Sequence, residues 1–383
     1  MKQVEKIRST IKNGFARTAG LMSGDDWLII GWVFASKALL FVFGAKSYQI
    51  LENERPGGLR GWLEIWNQWD SIHYLRLAQV GYSSKDVWKA WFYPLFPWTT
   101  RFVAWATGNY LVAAFIVSAL GVLAAALVLR RLVAIEFSTE VAMRAVWFFL
   151  IFPTAYFLHI GYTESLFLAL VLTSIWAARK QNWSLAGVTG ALAWMTRANG
   201  SMLVPALAVE AAHQWWSSRR WNWSWLYLAI VPLGFGVYLF LNWKITGDPF
   251  AALRMRKTIS SATVAWPWVG IHDSIDSLDR EPGEAEIVGA QELYFSILGL
   301  ICVIASWVKL RPVYAVWMTG NYLLVTSVDF IESVPRYSLT MFPIFMLFAL
   351  VGASRFWFGI ITIWSLLFLA IFSSLFVRGW WAF

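Results

Sequence analysis

Apolar residues run along this chain in long unbroken stretches, without the alternation of half-buried strands or the one-sided stripe of surface helices. The stretches lie near 27–44, 110–129, 142–160, 165–178, 184–195, 200–213, 223–243, 290–308, 313–328, 337–352 and 357–377. Several reach the ~20 residues that carry a helix across a hydrocarbon core. The pattern predicts an all-α polytopic membrane bundle of about 11 membrane segments. The stretches at 184–195 and 200–213 are too short to cross singly. They read as a broken hairpin around Thr196-Arg197-Ala198-Asn199-Gly200, since non-helical backbone at membrane depth survives only inside protein or beside a wet cavity.

The polar interruptions give an orientation. With the N-terminus inside, alternate turns carry Arg130-Arg131, Arg179-Lys180, Arg219-Arg220, Lys309 with Arg311, and Arg355. Every expected inner turn is basic, as the positive-inside rule requires. One continuous helix over 184–213 would invert all later turns, so the charges favour the hairpin and place the C-terminus outside. Residues 1–26 form a cytoplasmic amphipathic segment, with Val4, Ile7, Ile11 and Phe15 on one face and Lys2, Lys6, Arg8 and Lys12 around the rest. The first apolar stretch is too long for a cleaved signal core and reads as a retained anchor. Two outer loops are long, 45–109 and 244–289, and the whole of 1–383 reads as a single transmembrane domain without internal repeats.

Composition agrees: 59% of residues are apolar and 14% charged, against roughly 25% charged in soluble domains. The 27 tryptophans suit the bilayer interface, where an apolar ring and a polar N–H are both satisfied. The net charge of +9 sits at the ends of apolar stretches, which makes anionic headgroups the electrostatic partner and excludes a nucleic-acid reading. Cys302 is the single cysteine, so no intrachain disulfide or cysteine metal cluster exists. The four histidines (His73, His159, His213, His272) lack metal-site spacing, and no phosphate-binding glycine loop is present. Neither a metal nor a cofactor is expected.

Candidate chemistry lies in the outer loops and at the breaks. Asp70 stands among aromatic rings in Trp66-Asn67-Gln68-Trp69-Asp70-Ser71-Ile72-His73-Tyr74, with His73 three residues on along a helix. A partly desolvated carboxylate there is suited to accept a hydroxyl proton, or it caps a turn or pairs with Arg76. Glu164 in Tyr162-Thr163-Glu164-Ser165 either caps the next helix or serves a site. Arg197 occupies a break deep in apolar sequence, where an unpaired cation is costly and function is the first hypothesis. Arg336 follows Pro335 at the start of an apolar stretch, where it either snorkels to the interface or meets an anion beside free helix N–H groups. Arg254, Arg256 and Lys257 form an outer basic cluster against the inside rule, which suggests an anion. Lys37 lies in mid-helix without an evident partner.

Together these residues resemble the PIG-V-type (GPI mannosyltransferase 2-like) mannosyltransferases of the GT-C superfamily. The likeness rests on Trp69-Asp70-Ser71 with Tyr74-Leu75, Ala78 and Gly81-Tyr82, then Phe92-Tyr93-Pro94 with Phe96-Pro97. It continues through Tyr162-Thr163-Glu164-Ser165-Leu166-Phe167, Thr196-Arg197-Ala198-Asn199-Gly200, Arg336-Tyr337 and Phe342-Pro343. Residues 254–257 depart from that pattern. The resemblance implies a GT-C-like bundle and an inverting, metal-independent transferase that moves mannose from a polyprenyl-phosphate carrier to a lipid or glycan acceptor at the outer or luminal membrane face. It implies Asp70 as general base, Arg197, Arg336, Arg256, Lys257 and Arg254 as donor-phosphate ligands, and His73, Glu164 and Tyr162 in support. A lipid transporter or flippase would instead place ionisable groups in mid-helix and show a repeat. A non-catalytic subunit of a glycosylation complex would share the fold.

Overall fold

The computed structural model describes residues 22–259, 263–276, 278, 290–381 and 383, with the side chains of 256–259 left outside the description. The expected surface helix before residue 22, the acidic tip at Glu281, Glu284 and Glu286, and the Arg256 and Lys257 side chains therefore lie outside the described residues. Among the described residues every regular element is a helix.

The first apolar stretch becomes α1 (Gly24–Leu51). Ser23 and Asp26 cap it reciprocally, each side chain accepting from the other's backbone N–H. It continues past residue 44 because no breaker intervenes before the turn leading to Pro56. The first outer loop then folds into α2 (Gly58–Glu64), α3 (Asp70–Val80), a 3-10 segment at Ser84–Trp91 and α4 (Leu95–Thr107). The tryptophan-rich stretch 60–80 is thus divided between two helices, because Trp69 turns the chain with φ 53° and ψ −123°. Next come α5 (Tyr110–Val133), α6 (Thr139–Ile151), α7 (Glu164–Arg179), α8 (Trp183–Trp194) and α9 (Leu203–Ser218). The chain continues through α10 (Leu233–Thr246), α11 (Ala251–Ile259), α12 (Pro267–Asp276), α13 (Ala290–Lys309) and α14 (Pro312–Thr326). It ends with α15 (Val334–Thr340), α16 (Pro343–Val351) and α17 (Arg355–Phe376).

Among the described residues five elements are long and apolar enough to cross a membrane: α1, α5, Trp223–Thr246, α13 and α17. The pair α15–α16, bent by 84°, makes six if taken as one span. This count is short of the eleven segments expected, because breaks shorten the remaining apolar stretches. Pro153 disfavours helical backbone at Phe152, which is extended with φ −53° and ψ 147°. The stretch 142–160 therefore becomes α6 followed by a 3-10 turn at Ala155–Leu158. The interruption near Thr196 is present: α8 stops at Trp194, Arg197 is extended, and a 3-10 turn at Ala198–Met202 leads into α9. Only glycine fits at 200, since a Cβ there would lie 2.5 Å from the Trp194 Cα.

The central packing is α5 against α7, close enough that a Cβ on Gly121 would fall 2.8 Å from the Leu166 nitrogen. Large apolar side chains such as Leu39, Phe34, Phe356, Ile363 and Ile304 are exposed on α1, α17 and α13. Apolar surface on that scale marks a lipid-facing exterior, so this is an integral membrane protein. Ion pairs gather the basic turns at one end of the bundle. Arg130 meets Asp26 at 2.9 Å, Arg179 meets Glu136 and, at 3.5 Å, Glu210, and Arg311 meets Glu210 at 2.8 Å. From that end α7 runs back about 24 Å at 1.5 Å per residue to Glu164, where the break at 195–202 also lies.

Candidate active site

At that second end four charged side chains form a chain of alternating sign. Asp70, the first residue of α3, accepts from Arg336 Nη1 at 2.6 Å. Arg336 Nε donates to Glu164 Oε1 at 2.5 Å, and the same oxygen accepts from Arg197 Nη1 at 2.5 Å. Arg197 Nη1 also donates to the Thr163 hydroxyl at 2.7 Å. Two carboxylates balance two guanidinium groups, which is how a buried charge becomes tolerable away from water. Glu164, Arg197 and Arg336 are buried, whereas the Asp70 side chain keeps 34% exposure. The carboxylate at the water-accessible end of the chain is therefore Asp70.

Each group is placed by local backbone. The unusual Trp69 conformation, rare for an L side chain and costly by about 1–3 kcal/mol, starts α3 so that Asp70 heads the helix. The Tyr162 hydroxyl donates to the Gln68 carbonyl at 2.8 Å and braces that turn. The segment 152–163, released from helix by Pro153, brings Phe157 and Tyr162 under Arg336, whose guanidinium carbon lies 4.9 and 4.7 Å from their ring centres. Phe383 covers it from another side at 5.7 Å. These faces attract the cation and exclude water.

Asp70, Arg197 and Arg336 line a cavity of about 120 Å³ with Tyr74, Trp91, Phe92, Tyr93, Asn199 and Tyr337. Arg336 Nη2 and Arg197 Nε and Nη2 make no hydrogen bonds among the described residues, so both arginines retain donors for an anion. Burial, and after it the Asp70 charge, raises the Tyr74 phenol well above its ordinary pKa and keeps it protonated.

The remaining expected site residues divide. Glu164 does more than head α7: it is the counter-ion of two arginines. Tyr162 supports the turn before Asp70, with its hydroxyl already engaged. His73 shares α3 with Asp70 but packs edge-on against Trp88 at 4.9 Å and is absent from the cavity lining. Burial holds its imidazole below the ordinary pKa, against the pull of Asp70. Arg254 is exposed, pairs with Asp248 and does not line the cavity. The snorkelling alternative for Arg336 fails, because two carboxylates hold it inside.

Its expected free helix N–H groups are also taken. Glu292, buried at the start of α13, accepts from Ser333 N–H at 3.0 Å and Val334 N–H at 2.8 Å, and so caps α15. Sequence reading missed Glu292, although a carboxylate opening an apolar stretch was the signal available. It also missed Phe157 and Phe383, which resemble any interfacial aromatic. Lys37 finds backbone partners, donating to the His159 carbonyl at 3.0 Å and the Phe115 carbonyl at 3.4 Å.

Fold and site together define an integral membrane protein with a partly open carboxylate–guanidinium centre among its helices. Residues 58–242 match the family described as mannosyltransferase (PIG-V), and over that stretch the chain is similar to this family. The match includes Asp70, Glu164 and Arg197, while Arg336 lies beyond it. No curated protein matches the chain. Among solved structures, the chain resembles the Archaeoglobus fulgidus oligosaccharyltransferase in its apo form, with 11% identity and a TM-score of 0.44, over 92% of this chain and 56% of that one. The archaeal oligosaccharyltransferase of Archaeoglobus fulgidus in complex with an inhibitory peptide and a dolichol-phosphate gives 12% identity and a TM-score of 0.42, over 91% and 56%. The chain thus spans little more than half the length of these enzymes.

Proposed function

We propose that this protein transfers a mannosyl group from a polyprenyl-phosphate carrier to a hydroxyl of a lipid or glycolipid acceptor, with inversion, at the outer or luminal membrane face. The observation that carries the reading is Asp70. It is a cavity-lining carboxylate, one-third exposed, at the end of a buried ion-pair chain whose two arginines line the same cavity.

In the proposed reaction Asp70 takes the acceptor hydroxyl proton as the oxygen bonds the anomeric carbon from the face opposite the phosphate. The bond from the anomeric carbon to the phosphate oxygen breaks, and its electron pair leaves with polyprenyl phosphate. The leaving group gains negative charge, which the unspent donors of Arg197 and Arg336 are suited to stabilise. Arg336, donating to Asp70 at 2.6 Å, fixes the orientation of its carboxylate. Aromatic residues around the cavity supply faces for a sugar ring. The carrier's isoprenoid chain stays in the bilayer beside the helices.

The test is incubation of the purified protein with polyprenyl-phosphate-mannose and host lipid extract, followed by mass analysis. A product heavier than an acceptor lipid by one hexose residue is expected. Absence of any hexosylated product from folded protein with this donor would reject the reading.

A further inference from the structure

The end of the bundle remote from Asp70 holds a second cavity, of about 570 Å³, where the turns after α7 and α9 meet the start of α14. Gln181, Gln214, Arg220, Trp221, Asn222 and Arg311 are among the residues that line it. Its floor is a closed polar network. Arg311 donates from Nε and Nη2 to Glu210 at 2.8 and 2.9 Å, and Gln214 donates to Glu210 at 2.8 Å and to the Ala178 carbonyl at 2.9 Å. Glu210 is thereby neutralised, with Arg179 also 3.5 Å away.

The mouth is different. The Arg220 guanidinium has no ion pair among the described residues. Arg219, in the left-handed conformation that ends α9 (φ 55°), has no ion pair among the described residues and lies over the Trp216 ring, 4.3 Å away. Arg220 lines the cavity and Arg219 adjoins it in the chain, so unspent cationic donors stand at the mouth above a neutral, hydrogen-bonded base. Exposed Trp221 lines it, and Trp215, Trp216 and Trp223, also exposed, flank the lining residues in the chain, followed by exposed Leu226 and Tyr227. Such a ring belongs at the headgroup level of a bilayer, with apolar surface continuing toward the acyl chains.

We propose that this cavity binds the phosphodiester headgroup of an anionic phospholipid from the leaflet that bathes the basic end, with Arg219 and Arg220 as its ligands. A soluble phosphate would use the arginines but leave the tryptophan ring and the apolar surface beyond it unexplained. The site is separate from the Asp70 cavity, and its occupancy is read without any transfer assay.

The test is lipid retention by the full-length protein. The protein is equilibrated in mixed micelles with equal phosphatidylglycerol and phosphatidylcholine, and bound lipid is counted by native mass spectrometry. Wild type should retain phosphatidylglycerol preferentially. The double variant Arg219→Gln/Arg220→Gln should lose that preference by roughly tenfold or more, given a severalfold contribution per arginine near a charged surface. Arg219→Lys/Arg220→Lys should keep it, and the charge-matched control Arg60→Gln/Lys85→Gln in the other loop should not change it. Unfolding temperatures verify that the exposed substitutions leave the fold intact. Equal retention of the two lipids by wild type, or an unchanged preference in the double glutamine variant, would overturn the proposal. So would displacement of the lipid by an equal concentration of inorganic phosphate, which would make this a soluble-anion site.

Discussion

Exchange of Asp70 for asparagine alters the proposed base while leaving its size and most of its packing in place. The amide cannot accept the acceptor's proton, and loss of a general base costs about 10²–10⁴-fold, or about 3–5 kcal/mol of barrier. The structural cost is smaller. Arg336 keeps Glu164 as its counter-ion at 2.5 Å, and the broken pair is open to solvent at the Asp70 end. An ion pair with one partly exposed partner contributes on the order of 1 kcal/mol, so the variant should fold with at most a few degrees' loss of unfolding temperature. Purified wild type and Asp70→Asn are compared by initial rates at saturating polyprenyl-phosphate-mannose and by thermal unfolding. A kcat reduced at least a hundredfold with a nearly unchanged transition is expected. Turnover within a few fold of wild type by the folded variant would refute the assignment of the base.

Glu164→Gln should behave in the opposite way. It leaves Arg197 and Arg336 without their shared buried counter-ion, so denaturant unfolding should show a loss of about 3–5 kcal/mol. Arg336→Lys keeps the charge but cannot reach Asp70 and Glu164 together. Donor kcat/KM should fall about ten- to a hundredfold, the scale of one charged hydrogen bond, while acceptor KM stays near wild type. For topology, single cysteines at 180, 219 and 310 in a protein lacking Cys302 should resist an impermeant thiol reagent applied to intact cells, whereas one at 85 should react. Outside labelling at 219 would contradict the hairpin orientation. Transfer should survive chelation by EDTA, and strict dependence on restored magnesium or manganese would instead make Asp70 and Glu164 candidate ligands.

The residues of the site were legible because ionisable groups are rare in such apolar sequence, and Asp70, Glu164, Arg197 and Arg336 each stand at a break. Their partnerships were not legible. Asp70 and Arg336 are 266 positions apart, and nothing in either neighbourhood points to the other. The hairpin break was readable from stretch length together with the charge of the turns on either side. The stretch 142–160 was misjudged, since its apolar content continues smoothly through Pro153 while its backbone does not. Lys37 was visible only as an anomaly, because its partners are backbone carbonyls, which leave no mark in composition. Glu292 was overlooked for a related reason: its partners are the N–H groups of α15.

The cap at Glu292 changes the argument for how a donor phosphate is held. A free helix N-terminus would have supplied a field and backbone donors directly. With those donors spent, the positive groups that line the Asp70 cavity among the described residues are the unspent edges of Arg197 and Arg336. Before a donor arrives the four charged groups sum to zero, so the site is not a general anion trap. A phosphodiester brings one negative charge, and the departing phosphate monoester tends toward two. The charge to be stabilised therefore appears mainly as the glycosidic bond breaks, which is where catalysis gains from preorganised donors. Glu164 is what makes the arrangement possible. It holds both guanidinium groups in place before the reaction, so no reorientation is needed as the phosphate gains charge. Its own burial keeps it out of reach of an acceptor hydroxyl, which leaves the partly exposed Asp70 as the proposed base.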